Sequence, residues 1–231
     1  MKVAMILSAG RGERLKPITD AIPKALCVVN NKPLIEHHVI NLAKSGFERL
    51  VVNHAYLGGK IRNYLGDGSK WGVEIVYSPE PPGGLETAGG IVKALPLLGK
   101  DPFVTVNADI YTDFDFASLR KQSFDCIHLV LVNKNPALNH HGDFGLVDNG
   151  MLTNTNREYT FPGIACYHPQ VFADLKQGRY GLPPLLRSYV EDKQVTGSLF
   201  HGIWHDIGSL DRLNELISFL DSRSQPCLLN E

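Results

Sequence analysis

The sequence predicts an α/β fold: a Rossmann-like three-layer arrangement with helices on both faces of a mainly parallel sheet, extended by a small antiparallel addition. Three observations lead there. Apolar runs of strand length alternate with segments of helical periodicity through the first half of the chain. The first apolar run breaks into a loop with glycines at Gly10 and Gly12, and two later apolar runs lead into an aspartate, at Asp109 and Asp206. A chain of 231 residues is long enough to bury a full core as one domain.

Charge and composition narrow the classes of function. Twenty-three Lys plus Arg stand against 24 Asp plus Glu, so no global field recommends nucleic acid or an anionic membrane as a partner. The apolar run after Lys2 feeds directly into a polar glycine loop, which reads as no secretory leader, and no run approaches the roughly 18 apolar residues of a membrane span. Cys27, Cys126, Cys166 and Cys227 are widely separated and form no CxxC pair. Disulfide and zinc frameworks are therefore poor readings, and buried thiols in a reducing, cytoplasmic setting are expected.

In chain order, Val3 to Leu7 is the first strand, and Ser8-Ala9-Gly10-Arg11-Gly12 is the loop after it. Its small residues let a ligand approach backbone N–H groups that suit phosphate oxygens. The loop is neither a Walker A motif nor GxGxxG, and by itself it reads equally as an ordinary tight strand-to-helix connection. From Leu34 to Ala43 the apolar residues recur at helical spacing, with Gly46 at the C-cap position. His37 and His38 diverge by about 100° on that helix and cannot share a metal.

Leu50 to His54 reads as a second strand, Gly58 to Leu65 as a second helix, and Val73 to Tyr77 as a third strand. Ligands of such sheets sit at the carboxyl ends of the strands, which places Ser8 to Arg14 and Ser78 to Glu86 on one rim. The Ser78–Ile91 segment carries a proline turn, two glycine pairs, Glu80 and Glu86, and reads as a binding wall. Phe103 to Asp109 is the next strand. Taken alone, Asp109 is either a Mg²⁺ ligand on a rigid support or a helix cap, although Asp113 and Asp115 are better placed to cap.

Ile127 to Val132 is a further strand, leading into a polar stretch with His140, His141 and Asp143. The two histidines have no third ligand at a recognisable spacing, so Asp143 is the better candidate, as a substrate contact. Pieces such as Thr160 to Tyr167 suggest an antiparallel lid or second wall, Leu185 to Val190 a helix, and Trp204 a core residue. Asp206 is a second strand-end carboxylate before a glycine turn.

Together, LSAGRGERLKPITDAIPKAL, VNADIYTDFDF and WHDIGSLDRL resemble the sugar-phosphate nucleotidyltransferases, whose opening pattern is LxAGxGxRLxPLTxxxPKxL. The likeness runs from the first strand to the last helix. SPEPPGGLETAGGI and HHGDFGLV are similar to segments of the uridylyltransferases that act on N-acetylmuramic acid α-1-phosphate in bacterial cell-wall recycling. The resemblance implies one nucleotidyltransferase domain over residues 1–231, with 1–125 mainly binding nucleotide and 126–231 mainly sugar. It implies Mg²⁺-dependent transfer of UMP from UTP to a sugar 1-phosphate, with UTP and the sugar 1-phosphate as partners. The chain lacks the long C-terminal extension on which many relatives assemble, so a monomer or a small homo-oligomer is expected.

By the same resemblance, Ala9, Gly10, Arg11 and Gly12 wrap the triphosphate, Arg14 reaches its phosphates and Lys24 sits at the α-phosphate. Asp109 and Asp206 hold Mg²⁺ between them, while Glu86, Gly90, Asn107 and Asp143 contact the sugar. Glu80 stands where many relatives carry glutamine in the base-reading loop. A carboxylate accepts the N3–H of uracil, but also the N1–H and amino group of guanine, so both bases stay open, as does a solvent-facing Glu80. Guanylyl or thymidylyl transfer to another sugar 1-phosphate, and a non-catalytic sugar-nucleotide sensor, are the competing functions.

Overall fold

The computed structural model describes residues 1–134 and 141–224. Val3–Leu7 forms strand β1, and its central residues Ala4, Met5 and Ile6 have no exposed surface. A strand covered on both faces has no reason to alternate apolar with polar residues, which is why it reads as one apolar run. The elements that follow are helix α1 (Leu34–Lys44), β2 (Arg49–His54), α2 (Gly58–Leu65), β3 (Glu74–Pro79), α3 (Glu86–Leu98) and β4 (Phe103–Asn107). Next come β5 (Ile110–Thr112), α4 (Phe116–Arg120), β6 (Ile127–Asn133), β7 (Tyr159–Thr160) and β8 (Ile164–Tyr167). The described chain closes with α5 (Leu182–Glu191), β9 (Val195–Leu199), β10 (Trp204–Asp206) and α6 (Leu210–Ser224).

Eight of these strands form one sheet in the order β7-β6-β8-β4-β1-β2-β3, with β9 also on β6. Pairings β1 with β2, β1 with β4, β2 with β3, and β9 with β6 are parallel. The expected antiparallel addition to the mainly parallel sheet is present, and it lies within the sheet: β8 runs antiparallel between β4 and β6. Periodicity identifies a strand but carries no information about its neighbours, so this insertion was invisible in the residues themselves.

The three layers follow from β1 outward. Ala4 and Ile6 face one core with Ile35, Val39 and Leu42 of α1, Ile61 of α2 and Phe116 of α4. Met5 faces the other, with Ala88, Ile91 and Val92 of α3 and Leu182, Leu186 and Val190 of α5. A third cluster joins Leu15, Cys27 and Val29 to Ile207, Leu213 and Leu216, so α6 fixes the segment that carries Lys24. Asp115 caps α4 through Ala117 N–H at 2.9 Å, which releases Asp109 from that duty.

His37 and His38 diverge as expected. His37 Nε2 bonds the Val29 carbonyl, whereas His38 is buried with Nε2 on the Ile110 carbonyl. Trp204 packs against the first core and donates to the Pro162 carbonyl. Cys27 and Cys166 are buried and Cys126 is half-buried; Cys227 and His140 lie outside the described residues. Among the described residues, no helix is long and apolar enough to cross a membrane.

Candidate active site

The carboxyl ends of β1, β2, β3 and β4 border a cleft of about 820 Å³ lined by Ala9, Gly10, Arg11, Glu80, Glu86, Asn107 and Asp109, among others. Its floor is built by a relay of hydrogen bonds from strand to strand. The β1–β2 register sets Leu7 opposite Asn53, and Ser8 N–H then donates to Asn53 Oδ1 at 2.7 Å while its hydroxyl donates to the Asn53 carbonyl. Asn53 Nδ2 donates to Glu80 Oε1 at 2.6 Å, and Leu85 N–H donates to Glu80 Oε2 at 2.7 Å. One asparagine side chain thereby ties the loop after β1 to the loop after β3.

Glu80 is only 9% exposed, so it does not face solvent, and its carboxylate is held at both oxygens. Gly90 lies buried beneath it. A Cβ at Gly90 would come within 2.5 Å of Glu80 Oε1 and 2.9 Å of Asn53 Nδ2. The glycine thus gives the Glu80 carboxylate room to sit. Glu86 does line the cleft, at its rim, with Arg179 Nε 3.1 Å from Glu86 Oε1.

Ala9, Gly10 and Arg11 line the wall that continues β1. Gly12 has φ of +70°, and a Cβ there would meet Thr19 Cγ2 at 3.0 Å and Lys24 Cβ at 3.1 Å. Its role is thus to bring the lysine segment against the loop rather than to line the cleft itself. Arg11 stacks on Tyr56, 3.7 Å from the ring centroid, and donates to the Thr19 carbonyl and to Asp20 Oδ1. The hydrogen bond it donates to the Asp20 carboxylate is the chief cause that raises the guanidinium above its ordinary pKa.

Lys24 Nζ is 2.6 Å from Asp109 Oδ2, with the lysine side chain 12% exposed and the aspartate 36%. Asp206 is brought alongside by the antiparallel pairing of β10 with β5, which sets Asp206 opposite Ile110, and by Ile207 N–H donating to the Asp109 carbonyl at 3.0 Å. Arg212 Nη1 lies 2.6 Å from Asp206 Oδ2. Arg14 completes this corner: a Cβ at Gly208 would lie 2.9 Å from Arg212 Nη1, 3.1 Å from Arg14 Nη2 and 3.2 Å from Asp206 Oδ2. Asp109 faces the main cleft and Asp206 a neighbouring one of about 570 Å³.

No group of three or more His, Cys, Asp or Glu residues that could hold a metal occurs among the described residues. The pair Asp109 and Asp206 does suit Mg²⁺, since both are hard oxygen donors, Asp206 on β10 and Asp109 in the turn just before its partner strand β5, and phosphate oxygens and waters can complete an octahedron. Three cations, Lys24, Arg14 and Arg212, converge on the same corner. That much positive charge beside two carboxylates fits a polyanionic ligand.

Asn107 and Thr87 line both the main cleft and a smaller pocket of about 220 Å³, which also contains Asp143 and Arg187. Gly163, at φ of +85°, approaches Asn107 so closely that a Cβ would lie 2.4 Å from Asn107 Nδ2. Asp143 Oδ2 accepts from Phe161 N–H at 2.9 Å. Sequence reasoning passed over Asn53, Thr87, Arg187 and Arg212. Arg212 alone carried a signal, because it stands within WHDIGSLDRL one helical turn after the glycine.

The nucleotidyl transferase family model matches residues 3–223. The chain is 46% identical over 221 residues to N-acetylmuramate α-1-phosphate uridylyltransferase of Neisseria meningitidis serogroup B, covering 92% of this chain and 95% of the relative. It is 31% identical to the enzyme of the same name from Caulobacter vibrioides, covering 90% and 92% of the two chains. In three dimensions it is similar to a candidate glucose-1-phosphate thymidylyltransferase from Bacillus anthracis, with a TM-score of 0.83 at 20% identity over 97% of this chain and 96% of that one.

Proposed function

Since the chain belongs to the nucleotidyl transferase family, we propose that it transfers UMP from UTP to N-acetylmuramic acid α-1-phosphate, giving a UDP-sugar and pyrophosphate. The observation that carries the choice of substrates is the 46% identity spanning 95% of a uridylyltransferase of that specificity. The cation-rich corner at Asp109 and Asp206 supports the chemistry.

A sugar phosphate oxygen attacks the α-phosphorus in line and pyrophosphate leaves, so both reactants and the transition state crowd negative charge. In this reading Ala9, Gly10 and Arg11 face the triphosphate through backbone N–H groups and the guanidinium. Lys24 exchanges its contact with Asp109 for the α-phosphate oxygens, where charge is redistributed during the displacement. Arg14 and Arg212 offset charge at the Asp206 side. Asp109 and Asp206 would hold Mg²⁺, which when bound supplies electrostatic stabilisation to phosphate oxygens.

Glu80 is the base-reading residue in this proposal. With each oxygen already taking one N–H, the remaining lone pairs can accept the N3–H of uracil without any movement of the loop. Asn107, Glu86 and Asp143 face the sugar. We assign the enzyme to the cytoplasm, in keeping with the free thiols of Cys27, Cys126 and Cys166.

The test is a panel of UTP, GTP and dTTP against N-acetylmuramic acid, glucose and mannose 1-phosphates, read as pyrophosphate release with and without Mg²⁺. The expected result is Mg²⁺-dependent turnover that is highest for UTP with N-acetylmuramic acid 1-phosphate. Equal or faster turnover with GTP or dTTP would overturn the base assignment.

A further inference from the structure

Arg187 is a half-buried cation. It sits on α5 and lines the 220 Å³ pocket that opens from the main cleft through Thr87 and Asn107. Its Nη1 reaches only neutral oxygens, the Asp143 carbonyl and Asn154 Oδ1, each at 3.4 Å, and its guanidinium lies 5.5 Å from the Phe144 ring centroid. It enters no ion pair among the described residues. Both polar contacts are at the long limit of hydrogen bonding and leave most of the five N–H donors of the fork for another acceptor.

The surroundings state what kind of acceptor belongs there. Phe144, Phe161, Leu182, Pro183 and Leu186 make the rest of the pocket largely apolar. A bare inorganic anion gains little from such walls, whereas a carboxylate on a short aliphatic arm uses both the walls and the fork. Asp143 stands at the same pocket but is tied through Oδ2 to Phe161 N–H. A carboxylate entering the pocket is repelled by that of Asp143 and takes its place on the Arg187 side.

We propose that Arg187 is the specificity-determining residue for the sugar, pairing with a carboxylate carried on an aliphatic ether arm of the sugar 1-phosphate. N-acetylmuramic acid has such an arm, a lactyl ether, and N-acetylglucosamine is the same sugar without it. The inference rests on the uridylyl-transfer reading above and adds the group that separates one sugar from the other.

The experiment compares wild type, Arg187→Gln and Arg187→Lys with UTP and either N-acetylmuramic acid 1-phosphate or N-acetylglucosamine 1-phosphate, with a thermal melt of each variant to check folding. Wild type should favour the carboxylate-bearing sugar by about 100-fold in kcat/KM, the scale of a charge-assisted, bidentate contact. Arg187→Gln should lose most of that preference through a raised sugar KM, and Arg187→Lys should restore part of it. A general packing role for Arg187 would slow both sugars alike, and that result, or an undiminished preference in Arg187→Gln, overturns the proposal. A wild type that uses only N-acetylglucosamine 1-phosphate overturns the role of Arg187 and leaves uridylyl transfer standing. One that uses neither sugar overturns the transfer reading and this assignment with it.

Discussion

Lys24 Nζ stands 2.6 Å from Asp109 Oδ2, so the cation proposed for the α-phosphate and the carboxylate proposed for the metal hold each other before any substrate arrives. Neither is buried as a bare charge, and each is pre-positioned by the other, Lys24 from a short helical turn and Asp109 from the turn after β4.

That pairing makes the two residues separable by experiment. Lys24→Met should lower kcat by about 100- to 1000-fold, the scale of removing one preorganised charge from a transition state, with a smaller change in the KM for UTP. Asp109→Asn should lower kcat comparably, and its residual rate should no longer respond to Mg²⁺. Steady-state kinetics over a Mg²⁺ titration measures both, and near-normal turnover in Asp109→Asn would remove it from the metal site.

Glu80→Gln replaces an acceptor by a donor opposite either Asn53 Nδ2 or Leu85 N–H. One buried N–H then faces an NH₂ group, at a cost of about 1–3 kcal/mol. For a domain of this size the melting temperature should fall by about 2–4 °C per kcal/mol, and the KM for UTP should rise. An unchanged melt would mean that the strand-end relay contributes nothing to stability.

Gly163→Ala tests the positioning of Asn107. The new Cβ would be forced into a left-handed conformation, φ +85°, and to 2.4 Å from Asn107 Nδ2. Displacing that amide should reduce kcat/KM for the sugar 1-phosphate by about 100-fold, while the KM for UTP moves much less. Equal losses for both substrates in initial-rate assays would place Asn107 outside the sugar site.

A fourth expectation concerns acid stability. His128 is buried between Thr196 Oγ1 at 2.8 Å and Ser198 Oγ at 3.1 Å, and burial lowers its pKa to about 4. Its unfolded-state value is near 6.5, so between these limits the unfolded chain binds a proton that the folded chain refuses. Stability is therefore intact above pH 6.5 and lost as pH falls toward 4, with about 2 kcal/mol lost from this residue between pH 7 and 5. Urea unfolding of wild type and His128→Gln at the two pH values checks this: the variant should show the shallower pH dependence.

The parts of the site that were legible in the residues share one cause. Ser8 to Gly12 and Asp109 each follow an apolar strand closely in sequence, and Asp206 ends a short strand before a glycine turn, so the strand announces where they lie. Asn53 closes an apolar strand too, yet its function depends on the β1–β2 register that faces it to Leu7, and register is not written in periodicity. Arg187 read as one polar residue on a helix. Its pocket also takes Thr87 from α3, Asn107 from the end of β4, and Asp143, segments that only the three-dimensional fold brings together. The close approach of Gly90 to Glu80 was likewise unreadable, because a glycine in a binding loop can face a ligand or a neighbouring side chain and its sequence does not say which.

The short ribbon of β5 and β10 has a consequence for how such a chain can change. It fastens Asp109 to the Asp206 strand directly, so the described residues between Asp113 and Ile203 depart from the Asp109–Asp206 corner and return to it. Asp143, Phe144, Phe161 and Arg187 all belong to that excursion. Side chains on the pocket walls can therefore change while the ribbon still holds the Asp109–Asp206 corner together.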